Sequence, residues 1–283
     1  SKSIDETWLW VADSAAHEVG HALGLSHDGT KGGVEYYPGH GEGVTQWAPI
    51  MGWTAYGVNQ WSRGHYRGAN NKENDLAIIT SRNGFDYRVD DHGDTWETAS
   101  ELLLDGGASG IIERPTDVDA FLLTLSRDGN VVITASPAAL SPNLDIEMTL
   151  TSSTGEELGL SNPAERLDAS LNLELEAGEY LLTMDGVGFD DPNSDGYPEY
   201  GSLGYFSVET RFEAAPEDTS GPGGETGLSQ DSGSDSESGP ADTGVDSGET
   251  PVGGCACSSG RRSVGPLWAL LLIGVGLRRR RRV

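Results

Sequence analysis

His17, Glu18, His21, Gly24, His27 and Asp28 stand in the run HEVGHALGLSHD, which gathers three imidazoles and a carboxylate into one short window. Neutral imidazole is a ligand for zinc, and a carboxylate beside such a site can take a proton from water. A helix turns once in about 3.6 residues, so His17 and His21, four apart, project from one face toward a shared point. Glu18 sits one position on, where it reaches a metal-associated water without ligating, which is the place of a general base. Gly24 suits the left-handed residue that ends a helix, and the chain turning back there brings His27 to the same point. Three protein ligands leave a fourth tetrahedral position open, as catalytic zinc sites do. The plainer reading makes these histidines surface or core residues of an amphipathic helix that buries Val19, Ala22 and Leu23. Six fixed positions in register weigh against it.

The segment resembles the extended zinc motif of the metzincin metallopeptidases. That resemblance implies Zn2+ on His17, His21 and His27, Glu18 as base, and hydrolysis of peptide bonds in a protein or peptide substrate. Pro49-Ile50-Met51-Gly52 is similar to the methionine turn of that clan, which implies Met51 beneath the metal. Many members carry a tyrosine two residues later; here Trp53 takes that place and Tyr56 follows. Asp28 is expected to fix the ligand loop by hydrogen bonding, and His65 to be structural or exposed.

The elements that must position these groups read as follows. Asp13 or Ser14 is the expected N-cap of the zinc helix and Gly24 its end. Residues 29–43, rich in glycine and carrying Tyr36, Tyr37 and His40, read as an irregular loop, with a simple surface connection the leading reading and a lining of the cleft the competing one. Residues 70–79 read as turn then helix, starting near Asn74 or Asp75, similar to the helix that closes the metzincin fold. The resemblance also implies a twisted sheet ahead of the zinc helix, with an edge strand that binds substrate. Because the motif follows Ser1 so closely, the chain is expected to be part of a longer precursor.

From Asp90 onward the pattern changes to period two. Phe121, Leu123 and Leu125 alternate, as do Ile146, Met148 and Leu150; Leu171, Leu173 and Leu175; and Tyr180, Leu182 and Met184. Short runs of this kind bounded by turn residues predict an antiparallel β-sandwich. The stretches DDHGDTWETA, DVDAF, AGEYLLTMDGVG and GYPEYGSLGYFSVE resemble the bacterial pre-peptidase C-terminal (PPC) domain, an accessory of secreted peptidases. Two acidic groups in it are candidates for Ca2+, a hard cation that prefers oxygen ligands. One is Asp90, Asp91 and Asp94 with Asp117 and Asp119, for which a solvated strand edge is the competing reading. The other is Asp191, Asn193 and Asp195, which open like an EF-hand but meet Ser202 where the bidentate glutamate belongs; an Asx-rich turn competes there.

Net charge is −27 and the pI about 4.3, which leaves nucleic acid an unexpected partner. The two cysteines, Cys255 and Cys257, lie near the end, so no disulfide staples the folded parts. Residues 214–254 are acidic and rich in Gly and Ser, a composition expected to stay disordered. After Cys255 comes an apolar run, Val264 to Leu277, and then Arg278 to Arg282. The run is shorter than the roughly 20 residues of a stable spanning helix. This order resembles the tripartite C-terminal sorting signals of Gram-negative bacteria, the myxobacterial type in particular. The resemblance implies tail removal near Cys255 by a sorting protease, with processing or lipid attachment at that cysteine; a plain membrane anchor gives the same topology. Either way the catalytic part is expected outside the cytoplasm, at the bacterial cell surface or outer membrane, or secreted.

The expected architecture is therefore multidomain. Residues 1–89 form the C-terminal half of an α+β metzincin catalytic domain, and residues 90–213 an all-β antiparallel sandwich. A disordered linker, 214–254, and a short hydrophobic tail, 255–283, complete it. The leading functional reading is a zinc-dependent endopeptidase; its rival is a surface adhesin or binding protein that works through the sandwich and keeps a vestigial zinc site.

Overall fold

A computed structural model describes residues 4–53 and 57–216; Tyr56, most of the expected linker and the tail with Cys255 lie outside the described residues. The chain divides into two compact units, Ser1–Gly221 and Pro222–Val283, and the account that follows concerns the first. No helix among the described residues is long and apolar enough to cross a membrane.

Helix α1 spans Ile4–Ala22 and so begins well before Asp13 and Ser14, the expected caps. Nothing between Ile4 and Ser14 interrupts a helix, since the stretch lacks Gly and Pro. Asp13 is a mid-helix residue whose Oδ2 accepts a hydrogen bond from Asn59 Nδ2 at 3.1 Å. The helix ends as expected at Gly24, which has φ +97°. Leu25 N donates to Gly20 O and Gly24 N to His21 O, both at 3.0 Å, the paired bonds of a Schellman turn.

Strands β1 (Trp47–Pro49) and β2 (Val58–Gln60) form a short parallel pair. Helix α2 covers Asp75–Arg82, and Asn74 caps it by accepting from Ala77 N. The remaining strands are β3 (Ser100–Leu102), β4 (Gly107–Ile112), β5 (Val118–Leu125), β6 (Gly129–Pro137), β7 (Ile146–Ser152), β8 (Glu157–Ser161), β9 (Ala169–Leu175), β10 (Gly178–Gly186) and β11 (Gly204–Ala214).

These nine build a sandwich of two sheets, ordered β3-β5-β10-β7-β8 and β4-β11-β6-β9. All neighbours are antiparallel except β3 and β5. The register sets Leu182 opposite both Phe121 and Leu150, so the alternating residues of β5, β7 and β10 share one inward face. Val131, Ile133, Leu171, Phe206 and Val208 meet them from the other sheet. Phe121 and Phe206 join the layers edge to face, with ring centroids 6.1 Å apart. Each fully buried side chain of this size contributes about 1.5–3 kcal/mol relative to exposure.

A second, smaller core crosses the expected boundary at residue 89. Trp47, Val58, Tyr66 and Ala69 pack together with Leu167 and Tyr197 of the sandwich. Polar contacts follow the same seam: Gln60 Nε2 donates to Asn143 O at 2.7 Å, and Tyr200 Oη donates to Asn74 Oδ1 at 2.9 Å while accepting from Leu76 N at 2.8 Å.

Candidate metal centre

The local rules that end α1 also aim its histidines. Once Gly24 has turned the chain, Leu25 O accepts a hydrogen bond from His21 Nδ1 at 2.9 Å. Ile50 O, in the turn before Met51, accepts from His17 Nδ1 at 2.8 Å. His27 Nδ1 donates to the Glu35 carboxylate at 3.1 Å. With all three Nδ1 atoms donating, Nε2 is the free nitrogen of each neutral ring.

Those rings converge. Their centroids lie 4.9 Å (His17–His21), 4.6 Å (His21–His27) and 5.3 Å (His17–His27) apart. One nitrogen from each falls within 4.8 Å of the other two. His21 Nε2 and His27 Nε2 are 2.9 Å apart. Two lone pairs facing each other at that distance repel, and a divalent cation relieves the repulsion, so the donor set fits zinc. Glu18 is exposed and lines a cleft of about 160 Å3 together with His17, Ser14, Trp10, Tyr36 and Trp53.

Met51 is fully buried. Gly20 on α1 leaves it room, because a Cβ there would stand 2.3 Å from Met51 Sδ. The turn around Met51 acts through its backbone as well: Met51 O accepts from Asp28 N at 2.8 Å, and Gly52 N donates to Pro49 O at 2.9 Å. Asp28 is therefore fixed mainly by its main chain, since Tyr37 N also donates to Asp28 O at 2.7 Å. Its carboxyl is buried and pushed up to about 7, chiefly by desolvation and then by the Glu73 carboxylate. His65 is exposed and lies outside the cluster, taking a 3.4 Å hydrogen bond from Arg63 Nε.

Two further residues reach the site from the glycine-rich loop. Residues 29–43 do not merely connect: they carry Tyr36 to within 4.4 Å of the His27 ring and 6.0 Å of the His17 ring, centroid to centroid. Burial and the Glu35 and Glu18 carboxylates hold the Tyr36 phenol above its ordinary value, so its hydroxyl stays protonated. Glu35, which serves His27, is the other.

Of the acidic groups, the first assembles around the start of β5. Asp90, Glu113 and Asp117 form one potential ligand set, and Asp90, Asp91 and Asp119 another. Glu113 has no sequence signal, and Asp94 falls outside both sets. Asp119 is fully buried on the core-facing side of β5, and neither of its oxygens, nor either of Glu113, has a hydrogen-bond partner. Desolvation, and then the surrounding carboxylates, push both acids up to about 8. Gly110 makes room, since a Cβ there would lie 2.4 Å from Asp119 Oδ2.

The second group is organised by hydrogen bonds around Asp191. Asp191 Oδ1 accepts from Asn193 N at 2.9 Å and from Asn193 Nδ2 at 3.1 Å. Ser194 N and Gly196 N close the turn onto Asp191 O. Asp191, Asn193 and Asp195 thus stand in an Asx turn, the competing reading for this group.

No protein-family model matches the chain, and no curated protein does. Among solved structures, similarity is found to the pre-peptidase C-terminal domain of a collagenase from Bacillus anthracis. It has 13% identity and a TM-score of 0.31, over 42% of this chain and 99% of that one. The g-type lysozyme inhibitor PliG of Aeromonas hydrophila is similar at 10% identity and TM-score 0.27, over 41% and 100%. A family 35 carbohydrate-binding module from Cellvibrio japonicus is similar at 15% identity and TM-score 0.18, over 44% and 84%.

Proposed function

We propose that the chain is a zinc-dependent endopeptidase of metzincin type acting on protein or peptide substrates outside the cytoplasm. One observation carries this reading: three histidine nitrogens converge beside the exposed carboxylate of Glu18 while every Nδ1 is already committed to an oxygen. His17, His21 and His27 would hold the metal through Nε2. When bound, zinc supplies a Lewis acid that lowers the pKa of water toward about 7 and polarises a carbonyl. Glu18 receives the proton of the attacking water on a carboxylate oxygen and returns it to the leaving nitrogen. The carbonyls of Leu25 and Ile50 and the Glu35 carboxylate keep the rings in the ligating tautomer.

Calcium at the Asp90, Asp91, Glu113, Asp117 and Asp119 cluster belongs to the same proposal. Its support is the pair of buried carboxyls that lack any partner. The order of Cys255, apolar run and arginines supports a surface location, with membrane contact through the tail and removal by a sorting protease.

The test is zinc analysis and cleavage of dye-labelled casein by the full chain, with and without chelator, and with Glu18→Gln. Loss of the base is expected to lower turnover by about 10²–10⁴-fold with zinc retained. Zinc bound without chelator-sensitive cleavage would overturn the peptidase reading and leave the rival, a surface binding protein that works through its sandwich.

A further inference from the structure

The chain carries 45 acidic residues against 18 lysines and arginines, yet Arg63 and Arg114 line one cavity of about 350 Å3. Arg63 comes from the loop between β2 and α2, and Arg114 from the turn between β4 and β5, so the cavity lies on the seam between residues 1–89 and the sandwich. Each guanidinium rests against a tyrosine that lines the same cavity. Arg63 Cζ is 4.9 Å from the Tyr200 ring centroid, and Arg114 Cζ is 5.7 Å from that of Tyr87. A guanidinium held this way keeps its N–H edge for an acceptor. The platform under Arg63 is itself fixed, because Tyr200 Oη donates to Asn74 Oδ1 and accepts from Leu76 N. The backbone on either side of Arg63 is held as well: Ser62 N donates to Asp75 Oδ2 at 2.8 Å and Gly64 N to Ser62 Oγ at 3.0 Å. Arg114 O accepts from Asp117 N at 3.1 Å, which closes its turn. Neither arginine forms an ion pair among the described residues. Arg63 Nε donates to His65 Nδ1 at 3.4 Å, and Arg114 reaches Asp94 only through its longer-range field. Glu199 also lines the cavity, so two positive charges stand against one negative and one positive charge is left over. Asn74 spends its Oδ1 on Ala77 N and Tyr200 Oη, which leaves its amide nitrogen as a further donor.

We propose that this cavity is a carboxylate-binding site that takes an acidic side chain of a peptide or protein between Arg63 and Arg114. A planar guanidinium matches the two oxygens of a carboxylate with two parallel hydrogen bonds. The single surplus charge suits a monoanion better than a phosphate dianion. The volume falls in the range of about 300–1,000 Å3 that ligand pockets occupy, more than one carboxylate needs, so it also admits the backbone that bears the acid. The tyrosine rings and Pro115 give that backbone apolar walls. Arginines already confined on rings lose little freedom when the ligand arrives. None of His17, His21 and His27 lines the cavity, so the site is separate from the zinc cluster. A ligand held there spans the seam, with Arg63 on one side and Arg114 on the other.

The test is titration calorimetry on the full chain with three probes: acetyl-Gly-Glu-Gly-amide, its Gln counterpart, and inorganic phosphate. The Glu peptide is expected to bind at least about tenfold more tightly than the Gln peptide, which offers no charge, and more tightly than phosphate. Arg63→Gln and Arg114→Gln are each expected to weaken the Glu peptide about tenfold while leaving circular dichroism unchanged. Arg63→Lys and Arg114→Lys keep the charge and lose the fork, so they are expected to recover only part of that loss. Because the ligand spans the seam, a saturating Glu peptide is also expected to raise the thermal midpoint of the native chain and not that of the Gln variants. Equal affinity for the Glu and Gln peptides, or unchanged affinity in both Gln variants, would overturn the proposal. Tighter binding of phosphate than of the Glu peptide would overturn it in favour of a phosphate site.

Discussion

Each of the three histidines owes its orientation to a residue that is not a ligand. Two of the supports are backbone carbonyls, Ile50 O and Leu25 O, which no side-chain substitution removes. The third is the Glu35 carboxylate, 67% exposed and 3.1 Å from His27 Nδ1. A charged acceptor raises the basicity of the ring it serves, and changing such a partner typically costs 10–100-fold in metal affinity. Exposure places Glu35 at the weak end of that range. Glu35→Gln is therefore expected to weaken zinc binding about tenfold, measured by competition with a chelating dye, with the fold unchanged by circular dichroism. Unaltered affinity would show that His27 is held by packing against Tyr36 and not by its acidic partner.

At the scale of elements, β5 sets an aspartate where an apolar residue belongs. Asp117, Asp119, Phe121, Leu123 and Leu125 are two apart, and Asp119 enters the sandwich with no partner for either oxygen. In the unfolded chain Asp119 and Glu113 titrate near 4; in the fold both are pushed up to about 8. Between those values the folded chain binds more protons than the unfolded one, so stability falls as pH rises from about 4 to 8. In chelator, the thermal midpoint is expected to be higher at pH 5 than at pH 8. Calcium is expected to raise it at pH 8, by about 2.7 kcal/mol of stability at a hundredfold excess over Kd, and to do little at pH 5, where protons hold the site. A midpoint indifferent to calcium at pH 8 would remove this cluster from the candidate sites. Period-two alternation made β5 and its acidic residues legible, because it depends only on neighbours in the chain. Glu113 was not legible, since it follows β4, in the other sheet, and only the fold sets it beside Asp90. The same holds at the zinc site. His17 to Asp28 is a local pattern, whereas Glu35 and Tyr36 are delivered by a loop whose path is fixed by Tyr66 and Trp53, far along the sequence. The start of α1 was misplaced because Asp13 and Ser14 have the chemistry of caps, and only the contact with Asn59 shows Asp13 in other use.

Across the whole of the described unit, the sandwich reaches the cleft loop directly. Tyr37 Oη donates to His40 Nδ1 at 2.8 Å, and His40 Nε2 donates to Gly196 O at 2.5 Å, which ties the residue next to Tyr36 to the β10–β11 connection. Gly41 lies so near that connection that a Cβ would stand 2.9 Å from Asp195 O. Tyr200 meanwhile bonds both the cap and the first turn of α2, and Tyr197 and Leu167 complete the core around Trp47. Removing the sandwich would expose Trp47 and Tyr66 and strip the loop that carries Glu35 and Tyr36 of its support. A fragment of residues 1–89 is therefore expected to lack near-ultraviolet circular dichroism and to bind zinc at least 10²-fold more weakly than the longer chain. Residues 90–213, which hold both sheets and their own apolar core, are expected to unfold cooperatively when expressed alone. Zinc affinity in the 1–89 fragment equal to that of the full chain would show that the sandwich is a detachable passenger; loss of affinity, restored by supplying residues 90–213 separately, would show that it completes the metal centre through the seam at Trp47 and His40.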